Sequence, residues 1–213
     1  MILLVAIITT IATNSKAQVQ PVTVIDARDN PHIGIKAGAN YSDVYDTQGQ
    51  DFVANGKFGF AGGGYFAIPL GKYFGIQPEV LFSQKGFQGT GTILGGPYNL
   101  TRTTDYIDVP LLFAFKPAQL LTILAGPQYS YLLSQTDQYA NGSTTTTQQQ
   151  EFKNDNLRRN TLCFTGGMDI DLEPIILSAR AGWDLQDNNG DGNSTTPRYR
   201  NMWYQLTAGF SLF

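Results

Sequence analysis

From Ile33 onward, apolar and polar residues alternate with a period of two in one segment after another, and this pattern limits what the chain can fold into. A period of two places successive side chains on opposite faces of a β-strand, whereas a helix needs a stripe of period 3.6. The first segment sets Ile33, Ile35, Ala37, Ala39 and Tyr41 against Gly34, Lys36, Gly38, Asn40 and Ser42. In the next, Phe58, Phe60, Phe66, Ile68 and Leu70 oppose Gly59, Ala61, Gly63, Tyr65 and Ala67. The pattern recurs at Phe74–Phe82, Ile107–Phe115, Leu121–Leu133, Leu162–Leu172, Ile175–Leu185 and Tyr204–Leu212. These eight segments of about ten residues have the length a tilted strand needs to cross a bilayer.

The links give the layout. Tight turns are predicted at Gly71-Lys72, Pro117-Ala118 and Glu173-Pro174, and long polar loops near 43–56, 88–104, 135–159 and 186–201. Short turns on one rim and long loops on the other are the plan of an outer-membrane barrel. The face opposite the apolar one is rich in Gly, Ser and Gln, which suits a narrow lumen filled by side chains and an apolar face turned to lipid. A soluble exported barrel holding an apolar ligand is the alternative with the same strand count, but its outer face would be charged. Here charged residues make up only 15% of the chain, well below the usual quarter.

Composition removes other classes. One Cys excludes a disulfide framework, and one His leaves no set for a zinc centre. A net charge of −3 with scattered Lys and Arg gives no footprint for nucleic acid. Residues Met1–Ile8 are unbroken apolar, and Ser15 and Ala17 stand at −3 and −1 of a cut before Gln18. Residues 1–17 therefore read as a signal peptide, 18–31 as a periplasmic N-terminal segment and 32–213 as the barrel.

Four segments, "GIKAGANYS", "FAIPLGKYFGIQPEVLFSQKGF", "YIDVPLLFAFKP" and "ILAGPQYSYLLS", together with the closing "YQLTAGFSLF", resemble successive strands of the PorT-like outer-membrane β-barrel proteins. The resemblance covers Ile33 to Phe213, and "IQPEVLFSQKG" is its most specific piece. It implies an all-β, eight-stranded antiparallel up-and-down barrel of the OmpA/OmpX type, integral to the bacterial outer membrane, with a periplasmic N-terminus. It also implies a link to protein secretion, the setting of the family's founding member. Phe213 departs from the pattern, because the apolar phase ends on Leu212.

Few residues point to chemistry. His32 precedes the first strand with no Ser or Asp partner near it in sequence, and Cys163 falls among inward Thr and Gly. No nucleophile elbow, phosphate loop or carboxylate pair appears, so the expectation is a protein that is not an enzyme and uses no cofactor. A lipid-modifying barrel enzyme is the rival reading. The inward charges are Lys36, Glu79, Lys85, Asp108, Asp169, Asp171, Arg180 and Asp184, and a closed interior requires each to find a partner. The expected centre is Arg180 with Asp169 or Asp171, reached diagonally from the turn at Glu173-Pro174, and with Glu79 across the lumen. Arg102, placed in the second long loop, is expected to be dispensable by comparison. Asp187, Asn189 and Asp191 match the first half of a calcium loop, but Arg198 stands where the bidentate Glu belongs, and turn-forming residues explain the run. The expected partners are outer-membrane lipid, the barrel-assembly machinery and an envelope protein reached through the loops, with no nucleic acid. Tyr41, Phe58, Phe74, Phe115, Tyr131, Trp183 and Tyr204 are expected to form outward aromatic girdles.

Overall fold

The computed structural model describes residues 30–45, 53–93, 96–141, 144–149, 157–188 and 199–212, so the signal-peptide segment and most of the N-terminal segment lie outside the described residues. Among the described residues nine strands are present: β1 (His32–Tyr45), β2 (Val53–Pro69), β3 (Phe74–Ile93), β4 (Gly96–Ala118), β5 (Leu121–Asn141), β6 (Thr144–Gln149), β7 (Asn160–Asp171), β8 (Ile175–Asp184) and β9 (Arg200–Ser211). Eight of them form one closed antiparallel ring, in which each pairs with the next and β9 returns to β1. The ninth, β6, folds back on the upper part of β5 and stands outside the ring. Closure matters in lipid because it leaves no ring strand with unpaired backbone groups.

The phase follows the alternation. Phe58 is 73% exposed, and Ile35, Val80, Leu111, Phe113, Leu177 and Leu206 are all exposed on the outer face. Lys36, Asn40, Gln77, Glu79, Gln128 and Thr165 are buried in the lumen. From Ile33 to Tyr41, Phe74 to Phe82, Ile107 to Phe115 and Tyr204 to Leu212, the outward apolar run advances eight residues. At about 3.3 Å per residue and a tilt of about 40°, it rises about 20 Å, close to the usual apolar belt of about 25 Å. Six of the seven girdle aromatics stand in register groups: Phe74 beside Phe115 at the turn end, and Tyr41 between Phe58 and Tyr204, with Trp183 opposite Met202, at the loop end. All seven point outward.

Two glycines show how the wall is shaped. Gly71, at φ 135°, makes the turn between β2 and β3. At Gly167 an added Cβ would collide with the Ala179 carbonyl oxygen, so only glycine lets β7 and β8 approach there.

Three expectations about the links are corrected. Residues 88–104 are not a loop: β3 runs to Ile93 and β4 starts at Gly96, with Ile93 opposite Gly96. Residues 135–159 contain the end of β5 and all of β6. The turn after β4 lies at Gln119-Leu120, because Ala118 pairs with Leu121. In the long hairpins the strands leave the apolar belt, so hydrophobic alternation ends while Thr-rich pairing continues. A register shift changes the phase of β5 as well: Ser134 pairs with Asp105, but Leu132 pairs with Tyr106. Ser134 donates to Asp105 Oδ2 at 2.6 Å, while Gln135 and Asp137 turn into the lumen.

Candidate functional site in the barrel lumen

The lumen is filled by side chains in three tiers, each drawing on several strands. Its lining is not uniformly small and polar, since Leu112, Ala114 and Leu124 form an apolar cluster between β4 and β5.

The tier nearest the short turns joins β1, β3, β7 and β8. Lys36 Nζ lies 2.5 Å from Glu79 Oε2. Arg180 donates to both oxygens of Asp169, at 2.6 and 3.0 Å, and reaches Glu79 Oε1 at 3.4 Å. Asp169 faces Ser178 and Asp171 faces Ile176, so Arg180 meets Asp169 on the diagonal. Gln77 Nε2 donates to Glu79 at 2.9 Å and to Asp169 at 3.2 Å, completing the shell. Two cations face two carboxylates, and all four are buried. Asp171 stays apart at the turn rim, where it accepts from Thr122 at 3.3 Å.

In the middle tier, Lys85 from β3 lies 3.1 Å from Asp108 Oδ2 on β4. Its ammonium stands 3.6 Å from the centre of the Trp203 ring and 4.7 Å from that of Tyr106. Asp108 also accepts from Ser130 at 2.6 Å. Asp184, on β8, accepts from the Asn201 backbone at 3.0 Å and from its side-chain amide at 2.6 Å. Cys163 is fully buried between Ser130 and Asp184.

Sequence reasoning missed the upper tier. Arg102 is not a loop residue; it lies on β4 directly opposite Asp137 on β5. Two parallel bonds of 2.7 Å join them, and the Asp137 side chain is fully buried. Tyr199 and Phe87 meet edge to face at 5.1 Å, with the guanidinium 5.8 and 5.7 Å from their ring centres. This layer closes the lumen beneath the loops. Asn188 holds Tyr199 in place: its backbone N–H donates to the Tyr199 carbonyl at 3.0 Å, and its side chain accepts the Tyr199 N–H at 2.9 Å.

The remaining candidates are dispersed. His32 begins β1 at the turn rim, edge-on to Tyr65 at 6.0 Å, and no nucleophile–base–carboxylate set forms around it among the described residues. The Asp187 carboxylate takes the Arg200 Nε–H at 2.7 Å, so this weak calcium candidate is already matched to a cation. Asn189 and Asp191 lie outside the described residues. No group of three or more His, Cys, Asp or Glu fit to hold a metal occurs among the described residues.

A family model described as "outer membrane protein beta-barrel domain" matches residues 17–190. No curated protein matches the sequence. Among solved structures, Ail, the attachment invasion locus protein of Yersinia pestis, is 12% identical, covering 86% of this chain and 99% of its own, with a TM-score of 0.48. Neisserial surface protein A is 10% identical over 85% of this chain and 99% of its own, with a TM-score of 0.47. OprG from Pseudomonas aeruginosa is 13% identical over 84% and 95%, with a TM-score of 0.43.

Proposed function

The chain belongs to the outer membrane protein beta-barrel domain family, and from that premise we propose a closed, non-conducting and non-catalytic barrel that works through its loop rim. It is a small integral protein of the bacterial outer membrane. One observation supports the closed reading above all: charged side chains paired inside the bore fill it in three successive tiers. An eight-stranded barrel has room for side chains and little else, and paired ions of this kind act as a plug rather than a selectivity ring.

In this reading the turn rim and the N-terminal segment face the periplasm and the long hairpins face outward. The outward β3–β4 and β5–β6 hairpins then present a polar surface to an envelope protein. The PorT-like resemblance of the strands favours a partner in protein secretion. The surrounding outer-membrane lipid and the barrel-assembly machinery are its other partners.

Planar-bilayer recording of the purified protein tests the plug. The expected result is a baseline without unitary steps, and reproducible steps that scale with protein added would overturn it. Cross-linking from the β5–β6 hairpin in native membranes, followed by pull-down, tests the partner. Acyl-chain analysis of a deletion strain tests the non-catalytic part: altered lipid A or phospholipid chains would speak for an enzyme.

A further inference from the structure

The formal charges of the middle tier do not balance. The lower tier holds two cations and two carboxylates, and the upper tier one of each. The middle tier sets Lys85 alone against Asp108 and Asp184. Lys85 is committed to Asp108 and to the faces of Trp203 and Tyr106. Asp184, 3% exposed, makes its hydrogen bonds to uncharged groups: two Asn201 donors and the Cys163 thiol. A buried carboxylate without a counter-ion of its own is so costly that such a group takes up a proton instead.

The geometry also says where that proton belongs. Oδ2 already accepts two N–H groups, whereas Oδ1 lies 3.1 Å from Cys163 Sγ. The thiol hydrogen then has the Thr161 carbonyl, 3.7 Å away, as its acceptor. We infer that Asp184 is held in its neutral acid form, donating through Oδ1 to Cys163, and that this proton latches the loop-side end of β8 to β7.

The groups facing this tier are consistent with that state. Lys85 comes from β3, Tyr106 and Asp108 from β4, Ser130 from β5, Cys163 from β7, and Asn201 and Trp203 from β9. From β1, the Tyr45 hydroxyl donates to the Asp184 carbonyl at 2.5 Å. Lys85 is the one cation in this set, and Asp108 already shares it. Ionising Asp184 sends its proton to solvent past the loop rim and leaves two carboxylates around one ammonium. An acid that keeps its proton in the folded barrel but loses it in the unfolded chain makes stability fall as pH rises. The latch therefore loosens on the alkaline side.

Infrared spectroscopy of ¹³C-aspartate-labelled protein in lipid bilayers tests this directly. Wild type at neutral pH should show a protonated-carboxyl C=O stretch that Asp184→Asn lacks. Thermal unfolding of wild type should also shift downward between neutral and alkaline pH more than that of the variant. Superimposable neutral-pH spectra of the two proteins would overturn the inference. Should Asp184→Asn fail to fold, Cys163→Ala decides the matter. It removes the acceptor, so the band must move to higher frequency, and an unmoved or absent band would equally overturn it.

Discussion

Two walls of the barrel cross the same apolar belt and end at different heights. Strands β3, β4 and β5 are 20, 23 and 21 residues long, whereas β7, β8 and β9 are 12, 10 and 12. The short wall stops near Trp183 and Tyr204, at the loop-side girdle. On the tall wall the belt ends at a polar seam, where Gln84 and Ser134 donate to Asp105 at 3.0 and 2.6 Å on the outer face. Beyond the seam the tall wall continues as a Thr-, Gln- and Gly-rich sheet. The membrane thus fixes the length of only part of each strand, and the rest follows from backbone pairing alone.

The walls also use their ions differently. Arg102 and Asp137 lie on neighbouring strands that backbone pairing already holds together. Arg180, by contrast, reaches from the short wall to Glu79 on the tall one, and Gln77 returns the contact to Asp169. Pairs within a wall reinforce what the sheet supplies, whereas pairs across the bore tie its two sides together.

The largest effect should therefore come from the cross-bore set. Arg180→Ala strands Asp169 and frees one side of Glu79, and should cost about 3–5 kcal/mol, read as a fall in the unfolding temperature in detergent. Arg102→Ala removes a bidentate pair within one wall and should cost about 2–3 kcal/mol. The earlier expectation of a silent Arg102 is thus replaced by an intermediate one, and a loss equal to that of Arg180→Ala would erase the distinction between the walls. Lys72, exposed in the turn after β2, takes over as the silent control. The smallest effect should come from excising residues 138–147 and rejoining β5 to the loop. This segment lies beyond the three tiers, so the unfolding temperature should stay within the shift of a surface substitution, about 0.5 kcal/mol. A larger loss would mean that the projecting sheet helps hold the ring.

How far the sequence could be read follows the same division. Inside the belt, burial on one side and lipid on the other impose alternation, and the phase from Ile33 to Tyr41 or Ile175 to Leu185 could be read residue by residue. Past the seam the outer face is polar while Arg102 and Thr104 stay buried in the lumen, so the apolar alternation stops and Thr101, Arg102, Thr103 and Thr104 look like a loop although they are strand. The recurring Thr was the usable clue, through its preference for strands. Arg102 and Asp137 were out of reach for a second reason. The shift that turns Asp137 inward lies at Leu133-Ser134, and no Gly or Pro marks it. The Asp184 contacts depend on Asn201 and Cys163 reaching it from β9 and β7 on either side of β8, which the register of those two pairings sets.

The three tiers also act as an error check on how the strands are threaded together. Strand alternation behaves like a parity bit: a slip of one position turns every apolar side chain the wrong way and is rejected at once. A slip of two restores the parity and passes unnoticed by the lipid and by the backbone. It would nevertheless carry Arg180 past Asp169 and Lys85 past Asp108, leaving buried ions facing the wrong neighbours. The hydrophobic pattern thus screens out odd errors and the lumen screens out even ones, so a plug that carries no solute still helps decide which of several plausible barrels this chain becomes.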